Sequence, residues 1–261
     1  MHEATNSGEG LRPLTKGGAP TPVDRPAMLH VWSDLSFLHW PCEVSVVQRL
    51  LPPGLEVDAF EGNAWIGMIP FRVRIRHLPW PEVPWMSSFP EINVRTYVRG
   101  PTGEDGIYFL SLDAARAGAV LVARLGYGLN YAWARMRYRR IGSVATYECT
   151  RLFGRRGAGA RIVVAADEAC TPGELTDLDL WLTDRWRYYC ERRGRLLTGV
   201  VDHQPWPLRR ARVLECAETL VAACGLPPPE GMPRALFSPR VDVRMSALAD
   251  ARRAATTAGI A

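Results

Sequence analysis

The residues best suited to chemistry in this chain lie in one alternating stretch, from Glu91 to Gly100. Successive side chains of a β-strand point to opposite sides, so one face of a strand here would carry Ile92, Val94, Thr96 and Val98. The other face would carry a carboxylate, an amide, a phenol and two guanidinium groups: Glu91, Asn93, Arg95, Tyr97 and Arg99. Turned toward an enclosed interior, this polar face would form a site. Turned toward water, it would be an ordinary solvated sheet face, and periodicity alone does not decide between the two.

Glu91 is the first candidate catalytic residue. A carboxyl group in a pocket wall acts as a general acid or base when burial raises its pKa. Arg95 on the same face, together with Arg72 on the preceding strand, would hold a substrate carboxylate or an enolate oxygen, and Asn93 would contact the substrate between them. The alternative is that Glu91 and Arg95 form a plain ion pair on the sheet.

Several catalytic classes lack their motifs in this sequence. It contains no phosphate-binding P-loop, no glycine-rich dinucleotide turn and no nucleophile elbow. The histidines are scattered, and the six cysteines show no metal-ligand spacing, so we expect neither a metal nor a cofactor. We interpret His39 and His203 as structural residues, bonded to the backbone, rather than catalytic ones.

Length, composition and charge are those of an ordinary globular protein. The 261 residues are 47% hydrophobic and 23% charged, which suffices for one large core. The net charge of +5 is spread along the chain, which disfavours nucleic acid as a partner. The N-terminus has no apolar signal-peptide core, and the longest apolar run, 117–123, is too short to cross a bilayer. We therefore expect a cytoplasmic protein with reduced thiols and no membrane partner.

The chain divides by composition into three regions. The Gly- and Pro-rich stretch 1–27 predicts a disordered tail, 28–246 one domain, and 247–261 an alanine-rich C-terminal tail. Repeated hairpin signals with few helices between them predict an α+β fold, built on a single antiparallel β-barrel-like sheet with a few packed helices. Two loops rich in Trp and Pro would place Trp85 and Trp206 near the polar strand, as a pocket lid or as a cover over the sheet edge.

Six sequence blocks occur in a fixed order between about Met28 and Met245: Ser36–Pro41, Leu51–Leu55, Pro70–Arg72, Phe89–Val98, Ser111–Asp113 and Phe237–Ser238. In sequence and order these blocks resemble the YqjF-like family of uncharacterised proteins. That family is related in fold to acetoacetate decarboxylase, whose core is an antiparallel, cone-shaped β-barrel around a small-molecule cavity. The resemblance implies that the polar face beginning at Glu91 turns inward.

The resemblance does not extend to lysine chemistry. Acetoacetate decarboxylase forms an imine with its keto acid through a lysine pair that follows a Trp-Gly-aromatic-Pro segment. The nearest segment here, Tyr-Gly-Leu-Asn-Tyr-Ala at 127–132, places Tyr131 and Ala132 at the lysine positions. Lys16 is the only lysine of the chain and lies in the predicted tail, so we expect no Schiff base. In this segment Tyr131 would donate to a carbonyl oxygen, and Asn130 would contact the substrate.

Two functions from different classes fit these residues. The first is an enzyme that acts on a small carbonyl or carboxylate compound by non-covalent acid–base chemistry, of lyase, dehydratase, isomerase or cyclase type, with Glu91 moving the proton. The second is a non-catalytic small-molecule binding protein that uses the same cavity and the rings of Trp85 and Trp206. In both, the partner is a small anionic or carbonyl-containing molecule, and a homo-oligomer is compatible with either. A nucleic-acid-binding role for the arginines ranks last.

Overall fold

The protein consists mainly of β-strands. The computed structural model describes residues 20, 22–78, 87–118, 128–171 and 173–253. In these ranges the helices are α1 (Val44–Gln48), α2 (Asp177–Thr183) and α3 (Leu220–Ala223). The strands are β1 (Met28–Cys42), β2 (Glu56–Val57), β3 (Ala64–His77), β4 (Ser88–Arg99), β5 (Asp105–Ala114), β6 (Tyr131–Ile141), β7 (Val144–Arg151), β8 (Gly159–Ala169), β9 (Arg187–Arg192), β10 (Arg195–His203), β11 (Arg209–Glu218), β12 (Arg234–Met245) and β13 (Ala249–Asp250). None of the helices in these ranges has the length and apolar character needed to cross a membrane.

The strands close into two barrels that share a wall. Strands β12, β1, β3, β4 and β5 pair in that order and form the shared wall. Strands β6, β7, β8 and β11 close it into a nine-strand barrel, here called the large barrel. Strands β9 and β10 close it into a seven-strand barrel, here called the small barrel. The predicted barrel-like sheet with a few helices is thus confirmed, with one addition: β5 pairs in parallel with both β6 and β9.

The outer strands of the wall divide their pairing between the two barrels. The first half of β5 pairs with β9 and its second half with β6. In the same way, β12 pairs with β11 near its start and with β10 at its end. Each wall edge therefore continues into both barrels, and the wall is covered on both faces.

This position explains the burial of β4. Ile92 and Val94 pack into the core of the large barrel together with Tyr147 and Ile162. Phe89 and Tyr97, on the opposite face, pack into the core of the small barrel. The alternation predicted from the sequence holds, but from Glu91 to Val98 neither face meets water, because each one faces a different barrel; only the end residues Ser88 and Arg99 of β4 are exposed.

A β-bulge turns further side chains toward the small barrel. In β5, Leu110 is an extra residue with no counterpart in the register with β4. Phe109 and Leu112 therefore both face the small barrel although they are three residues apart. The bulge widens the part of the small barrel beside β4.

The folded region begins before the predicted boundary at residue 28. Val23 is buried, and its N–H donates to Asp202 Oδ2 at 3.0 Å. Its carbonyl oxygen accepts from Arg244 Nε at 2.7 Å. The predicted disordered tail is therefore wrong for residues 22–27, because single anchoring contacts leave no periodic pattern in the sequence. The rest of that tail, apart from residue 20, lies outside the described residues.

At the C-terminal end, too, the folded region extends beyond the predicted boundary, at residue 246. Within the predicted tail 247–261, strand β13 pairs with β10, and Ala251 is buried against the small hydrophobic cluster that includes Leu55 and Val98. A two-residue strand is too short to show an alternating pattern. The domain therefore continues at least to this strand, and residues 254–261 lie outside the described part of the chain.

A buried ion pair in the large barrel provides a test of this architecture. Arg151 Nε and Nη2 donate to Asp113 Oδ1 and Oδ2 at 2.7 and 2.6 Å, and the Asp113 side chain is fully buried. Arg151→Met should lower the free energy of unfolding by about 3–5 kcal/mol, because it leaves this carboxylate buried without its partner. Urea unfolding measures the loss.

The matched control is Arg161→Met, which removes a half-exposed arginine that pairs with Glu148 on the barrel surface. It should cost less than about 1 kcal/mol, because water solvates both groups. Equal losses for the two variants would contradict the assigned role of the buried pair.

Candidate active site

A cavity of about 100 Å³ lies inside the small barrel beside β4. Most of its wall is apolar, with side chains from β1, β3 and β5. Three polar side chains of β4 also line it: Glu91 (3% exposed), Asn93 (5%) and Arg95 (9%). The polar face predicted from the alternation therefore turns inward, toward an enclosed space.

Glu91 and Tyr131 form the central pair of this cavity. The Tyr131 hydroxyl donates a hydrogen bond of 2.9 Å to Glu91 Oε2. The register of the wall brings them together: Tyr131 opens β6 and pairs with Leu112 of β5, and Leu112 pairs with Asn93 of β4. Two residues predicted separately as catalytic are therefore in direct contact.

The surroundings of Glu91 hold a proton on its carboxyl group. Burial raises the pKa of Glu91 from 4.5 to about 8; the hydrogen bond from Tyr131 opposes this shift, and the negative charge of Asp113 adds to it. Burial and then the neighbouring Glu91 raise the pKa of Tyr131 well above its usual value. At neutral pH the pair therefore consists mainly of a protonated carboxyl group and a neutral phenol.

Arg95 is a buried cation with no counter-ion among the described residues. Its Nη2 donates to the Tyr97 hydroxyl at 3.4 Å, and its Nε has no hydrogen-bond partner among the described residues. The other buried arginines in the described ranges, Arg151 and Arg185, pair with the buried carboxylates of Asp113 and Asp58. The predicted alternative, an ion pair between Glu91 and Arg95, is not found, since Glu91 bonds to Tyr131 instead.

Tyr97 and His39 connect to Arg95 through hydrogen bonds to the Tyr97 hydroxyl. The Tyr97 hydroxyl donates to the carbonyl oxygen of Leu182 at 3.0 Å, so it can only accept from the ring Nε2 of His39, 2.7 Å away. This fixes Nε2–H as the protonated nitrogen of His39. Burial, and then the charges of Arg95 and Arg234, lower the pKa of His39 well below its usual value. A neutral imidazole thus lies behind the cavity, as a structural residue.

Gly67 provides the space that this arrangement needs. It pairs with His39 of β1 and with Arg95 of β4. A Cβ atom at this position would lie 3.2 Å from the His39 ring and 3.3 Å from Arg95 Cγ. The glycine therefore lets both side chains lie over the wall at the same level.

Asn93 lies between Glu91 and Arg95 on the cavity face of β4. Its Oδ1 is buried and has no hydrogen-bond partner among the described residues. Buried polar atoms are nearly always bonded in native proteins, so this oxygen and the Nε of Arg95 identify a polar zone whose partners do not lie among the described residues.

Trp206 lines the cavity as predicted, and His203 stands behind it. Trp206 Nε1 donates to the carbonyl oxygen of Thr183 at 3.0 Å, which fixes the ring. His203 packs between Trp186 and Trp206, with ring centroids 4.5 and 4.3 Å away. Its Nδ1–H donates to the carbonyl oxygen of Gln204 at 2.6 Å, and burial lowers its pKa to about 4. Its packing is that of a structural histidine.

Two predicted substrate-binding residues lie elsewhere. Arg72 is exposed, and its guanidinium group lies 5.3 Å from the centre of the Tyr138 ring, because β3 directs its neighbours Phe71 and Val73 into the cavity. Asn130 is exposed in an outer groove that Tyr131 also lines, and it donates to the carbonyl oxygen of Phe109 at 3.1 Å. Neither side chain lines the cavity inside the small barrel. Spacing showed that Arg72 alternates, but not which face of β3 is the inner one.

The prediction for Trp85 falls outside the described residues, as does Trp80 of the same loop. Sequence reasoning missed the support given to Arg95 by His39 and Tyr97. It also missed the contribution of β5 and β9 to the wall, through Ile107, Phe109 and Tyr188. The returning strand β5 carries an apolar alternation, but no local signal shows that it faces the same cavity as β4.

The described residues contain no group of three or more His, Cys, Asp or Glu side chains placed to hold a metal ion. The side chains that the cavity offers for chemistry are a carboxyl group with a raised pKa, a phenol, an amide and a guanidinium group. Such a set can bind an anion and move a proton.

Comparison of the sequence with known families matches residues 30–242 to DUF2071, described as "Uncharacterized conserved protein". The chain is 37% identical over 219 residues to the uncharacterized protein YqjF of Bacillus subtilis, covering 83% of this chain and 89% of the relative.

Comparison of the structure finds enzymes of one fold. The enduracididine biosynthesis enzyme MppR, in complex with the condensation product of pyruvate and imidazole 4-carboxaldehyde, gives a TM-score of 0.63 at 14% identity, over 87% of this chain and 90% of that one. An acetoacetate decarboxylase-like enzyme from Sphingomonas wittichii gives 0.59 at 12% identity, over 87% and 93%. Acetoacetate decarboxylase from Legionella pneumophila gives 0.58 at 12% identity, over 88% and 92%. At these identities the likeness shows the fold.

The raised pKa of Glu91 makes stability depend on pH in a defined direction. Between about pH 5 and 8 the unfolded chain releases this proton while the folded protein keeps it, so rising pH favours the unfolded state. Glu91→Gln removes this effect. Its free energy of unfolding relative to the parent should therefore increase as pH rises through this window, by an amount on the order of a few kcal/mol.

Denaturant unfolding at several pH values measures this difference. Glu61→Gln, at an exposed turn, controls for the substitution itself. A constant difference between Glu91→Gln and the parent from pH 5 to 8 would show that the folded protein does not hold this proton.

Proposed function

Since the chain belongs to the DUF2071 family and has the fold of acetoacetate decarboxylase-like enzymes, we propose that it is an enzyme that moves a proton on a small oxo carboxylate by non-covalent acid–base chemistry. One observation carries the proposal: the unpaired buried cation of Arg95 lies in the same cavity as the Glu91–Tyr131 pair.

Arg95 supplies the affinity for a carboxylate. A guanidinium group buried without a counter-ion is unfavourable, and an anionic ligand removes this penalty while it accepts strong, charge-assisted hydrogen bonds. The Nε of Arg95 has no partner in the described part of the chain and is available to such a ligand. The group that binds here is therefore expected to be an anion.

Glu91 and Tyr131 supply the proton chemistry. With a pKa of about 8, Glu91 is ionised in about one tenth of the molecules at pH 7 and in more of them above it. The ionised form removes a proton from the carbon next to the substrate carbonyl, and the electron pair of that C–H bond moves into an enolate. The hydroxyl of Tyr131 donates to the enolate oxygen. Glu91 then returns the proton to carbon.

The fold and the sequence agree with this scheme. MppR, an enzyme of the same fold, has been solved in complex with pyruvate, and a cavity of about 100 Å³ suits an oxo acid of similar size. The only lysine of the chain is Lys16, so the scheme is written without a Schiff base. It is a step shared by lyases, dehydratases, isomerases and cyclases.

The second candidate function is a non-catalytic small-molecule binding protein. The predominantly apolar wall of the cavity, with few polar groups, favours it, since binding sites for small molecules have this composition. The two functions share the ligand and differ only in whether Glu91 transfers a proton.

Hydrogen–deuterium exchange separates the two functions. In deuterated buffer, the parent protein should exchange the protons on the carbon next to the carbonyl of pyruvate or 2-oxobutanoate, and proton NMR follows this exchange. Glu91→Gln should lower the rate about 100-fold or more, because the proton carrier is lost. In the parent, the rate at low substrate concentration should rise with pH through a pKa near 8.

Two arginine variants complete the test. Arg95→Met should raise the substrate concentration needed for half-maximal rate about tenfold or more, because a hydrogen-bonded charge is lost. Arg72→Met, at an exposed arginine, should leave it unchanged. Saturable binding of the oxo acids without exchange would establish the binding protein, and unchanged exchange in Glu91→Gln would remove Glu91 from the mechanism.

A further inference from the structure

The register of the wall orders the cavity along β3 and β4. Opposed pairs of residues follow one another from one end to the other: Gly67 with Arg95, Ile69 with Asn93, Phe71 with Glu91, and Val73 with Phe89. The side chains that line the cavity therefore form successive levels, each about 6.6 Å from the next.

The chemistry changes from polar to apolar along these levels. Arg95 and Asn93 occupy the first two, and Glu91 with Tyr131 the third. Beyond Glu91 the lining consists of the apolar side chains Val73, Ile75, Met28 and Met245, together with Trp32 and His30, which are hydrogen-bonded to each other. Val73 is 2% exposed, whereas Ile75 is partly exposed, so this apolar end continues toward the outside.

The cavity is long relative to its volume. Its lining on β3 runs from Ile69 to Ile75, about 20 Å at the rise of a β-strand. The cavity is therefore an elongated passage along β3. An extended ligand with one polar end matches this length and this change of polarity better than a compact one does.

We infer that the ligand is an extended, unbranched carboxylic acid that lies along β4, with its carboxylate at Arg95 and Asn93 and its hydrocarbon end against Val73 and Ile75. Val73 is then a specificity-determining residue, because its side chain lines the part of the passage that the hydrocarbon end occupies. The inference rests on the proposed function for the position of the carboxylate at Arg95. Beyond the proposed function, it states in which direction the ligand lies along β4 and that its hydrocarbon chain is unbranched.

Straight-chain saturated carboxylates, from acetate to hexadecanoate, serve as probes, and titration calorimetry measures their binding. The parent should bind each longer acid about fourfold more tightly per added methylene group until the passage is full, and more weakly after that. Val73→Ala removes two methyl carbons from the wall and should move the tightest-binding acid to one or two carbons longer.

Val94→Ala is the matched control. It removes the same carbons from a fully buried valine of the same wall, but on the face that lies in the large barrel. It should leave the preferred chain length unchanged. A preferred length that stays the same in Val73→Ala, that shifts equally in Val94→Ala, or a parent that binds none of these acids would overturn the inference.

The outcome is independent of catalysis. Should the acids bind as expected while oxo acids undergo no exchange, only the catalytic part of the proposed function fails and the orientation of the ligand stands. Should exchange occur while Val73→Ala does not change the length preference, the proposed function stands and this inference is rejected.

Discussion

The constraint on which the rest of the structure depends is that β4 has no exposed face. A strand in an ordinary antiparallel barrel has one face toward the core and one toward water. Here the wall shared by the two barrels places both faces of β4 inside, so the polar residues Glu91, Asn93 and Arg95 are buried by topology. Burial removes water as a partner for each of them, and their unusual electrostatics follow from that.

Elsewhere in the protein, buried charged side chains are paired with a side chain of opposite charge. In the large barrel Asp113 and Arg151 neutralise each other through two hydrogen bonds, and in the small barrel Arg185 pairs with Asp58. The cavity face of β4 lacks such pairs among the described residues. There Glu91 is protonated and bonded to the phenol of Tyr131, and the guanidinium group of Arg95 donates to the hydroxyl of Tyr97. Among the described residues, Arg95 is thus the buried ion without a partner of opposite charge. The proposal of a ligand carboxylate at Arg95 rests on this difference.

Part of this site could be predicted from the sequence, and the rest could not. Strict alternation from Glu91 placed three cavity residues on one face, because strand periodicity is a local property. The contact between Glu91 and Tyr131, however, depends on which strand lies beside β5; the resemblance to a barrel family placed Tyr131 in the same site but did not predict this contact. Arg72 shows the limit: its alternation was read correctly, but the inner face of β3 is set by pairing partners far away in sequence. Asn130 shows the same limit. It directly precedes Tyr131, and neighbouring side chains along an extended chain point to opposite sides.

The two barrels are also coupled electrostatically through their common wall. Asp113 pairs with Ile92 in the register and faces the large barrel, one position away from the carboxyl group that faces the small one. Its negative charge contributes to the raised pKa of Glu91, and the bidentate bond from Arg151 offsets that charge. The proton affinity of Glu91 therefore depends on an ion pair in the core of the large barrel. A neutral residue at Asp113 would shift the balance of Glu91 toward its ionised form without touching the cavity, because like charges disfavour ionisation across a wall only one strand thick.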